Sequence, residues 1–175
     1  MKIKCRNLKI RIILKHRFDS TKQTTKFKIE SKRNLLIVRG SFTKCVFIIY
    51  KHTLSTIHVT GIRNKDSIND IAKFLEEFQL YEIRKLIVDN SLFTGSVVNP
   101  IELTKIKGRL DSKYNFYSVR FSEDVFPAVF IRPSSEMRLD YATILLFKNS
   151  KFVIIESKSL KNIRNTLEVV KHLTR

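Results

Sequence analysis

The sequence predicts an α+β fold in which one antiparallel sheet is built from a β-meander-plus-helix repeat that occurs twice. Three short apolar runs between residues 126 and 156 (FPAVFIR, YATILLF and FVIIE) are separated by polar links. These links are too short for crossover helices, so the strands should be antiparallel. In addition, the order strand, helix, three strands, helix is found in both halves of the chain.

The middle run, YATILLF, is apolar at successive positions, although successive side chains of a strand point to opposite faces. An antiparallel sheet normally keeps one face polar for water. A helix after the last strand can cover only one face. The pattern therefore predicts that the other face meets a flat and partly apolar partner.

Apolar runs, caps and breakers give the order of elements. In the first half we predict a strand over 7–14, a short helix over 18–27, strands over 34–39, 45–50 and 55–61, and a helix over 66–80. In the second half we predict a strand over 85–93, a short helix from Pro100 to Lys107 stopped by Gly108, a loop with an edge strand over 111–120, the three central strands, and a helix over 160–173.

Similar residues recur at matching places in the two halves. The helix residues Ile68, Ile71, Leu75 and Phe78 recur 92 positions later as Leu160, Ile163, Leu167 and Val170. Strand 36–39 matches 129–132 at an offset of 93, and 48–51 matches 145–148 at 97. A period this long indicates an internal duplication rather than a solenoid. We predict one repeat over 1–81 and a second over 82–175, which together form one domain.

The charge indicates a polyanionic partner. The chain has 34 Lys+Arg against 16 Asp+Glu, a net charge of +18, and its 43% hydrophobic content is typical of a globular protein. Nucleic acid is the first candidate partner and an acidic membrane surface the second. An A·T-rich genome, which enriches Lys, Asn and Ile, accounts for part of the excess.

Other signals are absent from the sequence. Two cysteines, Cys5 and Cys45, make no disulfide framework and predict a reduced intracellular protein. No apolar run is long enough to span a bilayer, and the N-terminus does not resemble a signal peptide. The four glycines are scattered, and the four histidines have no metal-ligand spacing with the cysteines. We therefore expect no cofactor, no metal and no enzymatic activity.

Several motifs in order resemble the TATA-box-binding protein family. FPAVFIR, then LLF, a tight polar link ending at Lys151, and FVII resemble the core of that family's second repeat. VTG at 59–61, after IIY and before a helix, resembles the first repeat, and the resemblance covers about residues 7–173. It implies a saddle: one curved antiparallel sheet whose concave face lies in a DNA minor groove, with two long helices above it.

The resemblance also implies a function. The chain would be a divergent core domain of the family without an N-terminal extension, which binds and bends A·T-rich promoter DNA and nucleates preinitiation complex assembly. It would act in the nucleus, or in the transcribing compartment of a nucleus-derived organelle or virus.

The family inserts two pairs of phenylalanines into base steps, and such wedges bend the duplex. The second-repeat pair falls on Phe126 and Phe147, whereas the first-repeat pair falls on Arg33 and Tyr50. Tyr50 can still act as a wedge, but Arg33 cannot do so in the same way. The sequence therefore predicts unequal kinks.

Polar positions of the family are partly matched. Asn7 matches the first base-contacting asparagine, the second falls on Leu86, and Thr60 matches a threonine that is replaced by Ile155-Glu156 in the second repeat. The basic positions implied for phosphate contacts are Lys32, Arg39, Lys44, Arg63, Arg132, Lys151 and Lys158.

The implied partners are double-stranded A·T-rich promoter DNA, factors resembling transcription factors IIB and IIA, and the RNA polymerase machinery, with no membrane. The loop that docks factor IIB in the family matches Ser122, Glu123, Asp124 and Val125. Two alternatives stay open. One is a basic protein that binds single strands or RNA on a stacking platform, and the other is an accessory domain of a nucleic-acid enzyme.

Overall fold

The computed structural model describes residues 1–41, 43–98, 101–111, 113–122 and 126–174. The chain divides into two compact units. We call Asn7–Asp89 the first unit, and Met1–Arg6 together with Asn90–Arg175 the second unit. The repeat boundary between residues 81 and 82 stays a prediction.

Ten strands and three α-helices are found in the described residues. They are β1 (Lys2–Leu14), β2 (Phe27–Ser31), β3 (Leu35–Gly40), β4 (Val46–Tyr50), β5 (Thr56–Ile62), α1 (Lys65–Glu77), β6 (Ile83–Ser96), α2 (Ile106–Asp111), β7 (Tyr117–Ser122), β8 (Phe126–Pro133), β9 (Thr143–Phe147), β10 (Lys151–Ser157) and α3 (Leu160–Leu173). Short 3₁₀ turns lie at Lys51–Thr53, Leu103–Lys105 and Glu136–Leu139. The strand order is β2-β3-β4-β5-β1 in the first unit, which holds β1 from Asn7 onward, and β6-β10-β9-β8-β7 in the second, which holds β6 from Asn90 onward. No helix of the described residues is long and apolar enough to cross a membrane.

The first unit is an antiparallel meander of β2 to β5, closed by the pairing of β1 with β5. Helix α1 begins after Asn64, whose side chain accepts a hydrogen bond from Ser67 N at 3.1 Å and so satisfies an orphan donor of the first turn. The helix packs on one face of the sheet, where the rings of Phe47 and Phe74 stack with centroids 3.8 Å apart. Burial of side chains of this size contributes about 1.5–3 kcal/mol each.

The second unit has the same internal order. Strands β7 to β10 form an antiparallel meander, and β10 also pairs with β6. Helix α3 begins after Ser159, whose hydroxyl accepts from Asn162 N at 3.0 Å. The covered face of the sheet and the helices α2 and α3 share one apolar core that includes Ile106, Leu146 and Val170.

In each unit, the face of the sheet opposite its core carries the alternate side chains. We call it the open face. On the first unit it holds Ile37, Arg39, Val46, Ile48, Tyr50 and His58; on the second it holds Phe126, Phe130, Arg132, Leu145, Phe147 and Val153.

The lack of alternation in YATILLF has a structural explanation in β9. Ile144 and Leu146 lie in the core, while Leu145 lies on the open face between its cross-strand neighbours Phe130 and Val153. Leu145 is only 7% exposed between these two neighbours. The open face of the second unit is therefore apolar at its centre.

Two predicted local structures are wrong. Residues 18–27 form no helix, because the Asp19 carboxylate accepts hydrogen bonds from the Thr21 backbone N–H at 2.9 Å and the Thr21 hydroxyl at 2.6 Å, which stabilises a turn instead. The chain then enters β2, a strand that the sequence did not predict. Gly108 does not stop a helix but lies inside α2; Pro100 lies outside the described residues.

The helices of the two units correspond at an offset of 95, not 92. The cap pairs Asn64–Ser67 and Ser159–Asn162 fix this offset. The offset of 92 matched Ile68 with Leu160, but these side chains are 59% and 73% exposed. Both are apolar residues on solvent-facing sides of their helices, so their spacing carried no information about the core.

Candidate functional site

An exposed aromatic cluster marks the open face of the second unit. The ring of Phe126 lies 5.4 Å from that of Phe130 and 6.0 Å from that of Phe147. Phe126 is 39% exposed and Phe130 37%. Aromatic side chains grouped outside a core indicate an interaction surface. The structure thus brings together the two predicted wedge residues and adds Phe130, which the sequence did not single out.

The matching region of the first unit is more polar. Tyr50 is 37% exposed, and its ring contacts those of His52 and His58 at 5.7 and 5.3 Å. Arg33 is exposed in the turn between β2 and β3. The aliphatic residues Ile37 and Ile48 pair across β3 and β4 beside them. The first unit therefore presents Tyr50, flanked by two histidines, and Arg33 in a nearby turn, where the second unit presents three phenylalanines.

Two asparagines occupy equivalent places in the units. The Asn7 side-chain oxygen accepts a hydrogen bond from Gly61 N at 3.0 Å, and that of Asn90 accepts from Glu156 N at 3.0 Å. Gly61 and Glu156 both have positive φ, at 88° and 64°. They lie at irregularities in the β1–β5 and β6–β10 ladders. Asn90 therefore has the place in the second unit that Asn7 has in the first, and the prediction that Leu86 stands at this place is wrong.

The alignment failed at Leu86 because it matched apolar runs. The spacing differs between the units, because Asn90 lies 66 residues before Glu156 whereas Asn7 lies 54 residues before Gly61. The second unit holds a longer connection between its first strand and its meander. A fixed offset could not place both Asn90 and the helices.

The predicted phosphate-binding arginines are each paired with a carboxylate. Arg39 Nη1 lies 2.9 Å from Glu30 Oε2, and Arg132 Nη2 lies 3.5 Å from Glu156 Oε1. The other Glu156 oxygen accepts from the Thr143 hydroxyl at 2.8 Å. These carboxylates hold the guanidinium groups at the open faces and also reduce their net charge.

A polar group that the sequence did not predict lies on the first unit's open face. Arg11 Nε donates to Asp89 Oδ1 at 2.6 Å, and His58 Nδ1 lies 3.8 Å from Asp89 Oδ2. Burial lowers the pKa of His58, Asp89 opposes this effect, and the positive charges of Lys9 and Arg11 add to it. The lowered pKa favours the neutral form of His58.

The remaining predicted basic residues are exposed. Lys151 begins β10, and four others lie in turns: Lys32, Lys44, Arg63 and Lys158. Thr60 lies beside Val46 on the first unit's open face. Ser122 ends β7, whereas Glu123, Asp124 and Val125 lie outside the described residues. Within the described residues, no group of three or more His, Cys, Asp or Glu side chains could hold a metal ion.

Comparison with known proteins gives a structural match without a sequence match. No protein-family model matches the chain, and no curated protein does. Among solved structures, Methanococcus jannaschii TBP matches with a TM-score of 0.71 and 15% sequence identity. The match covers 99% of this chain and 98% of that one. The chain therefore has the fold of that TBP, and the predicted α+β fold class is confirmed.

Proposed function

We propose that the chain is a general transcription initiation factor that binds and bends A·T-rich, TATA-type promoter DNA through the minor groove. The observation that carries this proposal is the cluster of Phe126 and Phe130, both exposed, with the half-buried Phe147 on the open face of a chain with a TBP fold. The net charge of +18 supports a polyanionic partner. The proposal includes a non-enzymatic role and a site of action where transcription begins.

The minor groove suits such a surface. Its floor offers mainly acceptors, adenine N3 and thymine O2, so a reader needs few donors and a close fit. Apolar side chains inserted between base steps cost a few kcal/mol of unstacking, and the bent duplex then contacts more protein surface. Phe126 and Phe147 would act as wedges, with Phe130 and Leu145 as the apolar floor behind them.

Asn7 and Asn90 would provide the donors. In each, the side-chain oxygen is engaged by a backbone N–H, which fixes the orientation of the amide. Each Nδ2 would donate to an acceptor on the groove floor. Arg39 and Arg132 would contact phosphates, which position a protein on DNA without reading its sequence.

A competition gel shift tests this proposal. We expect the protein to bind an A·T-rich duplex more tightly than a G·C-rich duplex of equal length. A small minor-groove ligand should displace the protein from the A·T-rich duplex. Affinity should fall steeply with salt, with a slope of roughly −0.9 per neutralised phosphate, and Arg39→Ala or Arg132→Ala should flatten the slope by about one unit each. Stronger competition by single strands than by duplex would favour the alternative of a protein that binds single strands or RNA. In that case the same aromatic side chains would stack on bases.

Protein partners form the finer part of the proposal. Residues Ser122–Val125 would dock a factor resembling transcription factor IIB, and other surfaces would meet a IIA-like factor and the RNA polymerase machinery. Replacing Glu123, Asp124 and Val125 by Ala should abolish the ternary complex with the IIB-like factor in a gel shift while leaving the binary DNA complex intact. Loss of DNA binding in that variant would contradict a docking role.

A further inference from the structure

The first residues of β1 carry a row of positive charge that the sequence did not single out. In Lys2–Arg6, with sequence KIKCR, basic residues alternate with others, so Lys2, Lys4 and Arg6 share one face of the strand. Arg6 Nε donates to Thr94 Oγ1 at 2.8 Å. Thr94 is the cross-strand neighbour of Val153, so this row belongs to the open face of the second unit.

These residues line a groove with a volume of about 660 Å³. Lys151 adds a fourth positive charge to its walls, while Phe147 and Val153 supply apolar surface. No carboxylate is among the described residues that line it. Arg39 and Arg132 are different, because each has a carboxylate within 3.5 Å. Four like charges around one groove repel one another and raise its affinity for an external anion.

We propose that this groove binds the sugar–phosphate backbone of nucleic acid. The inference rests on the proposed function and adds a phosphate-binding site formed by Lys2, Lys4, Arg6 and Lys151. Alternate residues of a strand are about 6.6 Å apart, so neighbouring side chains of the row can reach successive phosphates of one DNA strand. The apolar surface of Phe147 and Val153 would lie against the sugars.

Arg6 has a particular place in this site. Its Nε donates to Thr94 Oγ1, which anchors the guanidinium group at the groove that Arg6 lines. A guanidinium held in this way can bind one phosphate through two parallel hydrogen bonds. Lys2 and Lys4 would act as mobile point charges beside it.

The test compares two double variants by fluorescence anisotropy on an A·T-rich duplex. Lys2→Gln/Lys4→Gln removes two charges from the groove, and Lys65→Gln/Lys73→Gln removes two exposed charges from α1 as a matched control. We expect the first variant to flatten the salt slope by roughly 1.8. Between 50 and 200 mM salt, the factor by which its affinity falls should therefore be about one tenth of the factor for the unaltered protein. The control should keep the slope of the unaltered protein, and both variants should keep its melting temperature.

Arg6→Lys separates charge from geometry. It keeps the positive charge but loses the two-pronged contact, so affinity should fall severalfold at each salt concentration with nearly the same slope. Unchanged affinity in both Arg6→Lys and Lys2→Gln/Lys4→Gln, with normal duplex binding by the unaltered protein, would overturn this site and leave the proposed function standing.

Two other results would also overturn the inference. If the unaltered protein binds no duplex, the proposed function fails and the inference fails with it. Polyglutamate could compete for DNA binding with the same potency as a duplex of equal charge. If it does so with the unaltered protein but not with Lys2→Gln/Lys4→Gln, the groove binds an acidic protein instead.

Discussion

At the scale of single residues, the backbone fixes the orientation of two side chains of the candidate site. Asn7 and Asn90 each accept a hydrogen bond from a backbone N–H at 3.0 Å. A donor fixed in this way loses little conformational freedom when it meets a base, because its rotamer is already set. His58 is held less tightly, between the ring of Tyr50 and the carboxylate of Asp89.

The asparagines give a prediction with an internal control. Asn90→Ala and Asn7→Ala should weaken binding to an A·T-rich duplex by similar factors, each equivalent to about 1–3 kcal/mol, since under the proposed function each removes a base-edge donor. Leu86→Ala should bind normally, because the structure gives the asparagine's place to Asn90. Binding isotherms measure all three variants. A normal Asn90→Ala with a weakened Leu86→Ala would contradict the assignment.

His58 gives a prediction for pH. Because the pKa of His58 is lowered in the folded protein, the unfolded state binds more protons between the folded pKa and the ordinary value near 6.5. The contribution of His58 to the free energy of unfolding should therefore be constant above that range and decrease as the pH falls below about 6.5. Urea titrations of the unaltered protein and of His58→Gln at a series of pH values isolate this contribution of His58. Parallel pH curves for the two proteins would contradict the burial of His58.

At the scale of elements, each unit interrupts the ladder between its first and last strands with a residue of positive φ. In the first unit this residue is Gly61, and a Cβ there would lie 2.5 Å from the Lys44 carbonyl oxygen. In the second unit Glu156 adopts a similar backbone, and its side chain is held by Thr143 and Arg132. The interruption orients the asparagine of each unit, so it belongs to the candidate site.

Gly61→Ala should lower the free energy of unfolding by at least about 2 kcal/mol, because it combines a left-handed backbone with a backbone clash. Gly108→Ala is the matched control. Gly108 lies in α2, where an added Cβ would have no atom within 4 Å, and alanine there should stabilise the protein by about 0.5–1 kcal/mol. Thermal unfolding of the two variants and of the unaltered protein measures both changes in stability. Equal effects would mean that the interruption in β5 is not a fixed part of the fold.

At the scale of the whole molecule, patterns repeated over many residues could be predicted from the sequence, and single contacts could not. Strands β8 to β10 and helix α3 were predicted because long apolar runs and helix caps are local signals. The strand β2 was missed because a polar edge strand has little apolar pattern, and a side-chain turn at Asp19 resembled a helix start. Asn90 and the Arg11–Asp89–His58 group were missed because they depend on register between distant strands.

The proposed DNA complex should be asymmetric, because the two units present different residues to the duplex. The second unit presents the rings of Phe126, Phe130 and Phe147, whereas the first unit presents Tyr50 and Arg33. A buried tyrosine hydroxyl needs an acceptor, so wedging by Tyr50 is less favourable than wedging by phenylalanine. Arg33 would instead reach phosphates or a narrow groove, where positive charge is favourable. The bend should therefore be sharper at the end of the site bound by the second unit.

The bend of an A·T-rich duplex, measured by energy transfer between dyes at its two ends, tests the central claim most directly. The unaltered protein should shorten the end-to-end distance, as expected for wedges that kink a duplex by roughly 20–90°. Phe147→Ala should reduce the bend and the affinity far more than Tyr50→Ala, and Arg33→Phe should increase the bend. A duplex that is bound but stays straight, or equal losses from Phe147→Ala and Tyr50→Ala, would contradict the account.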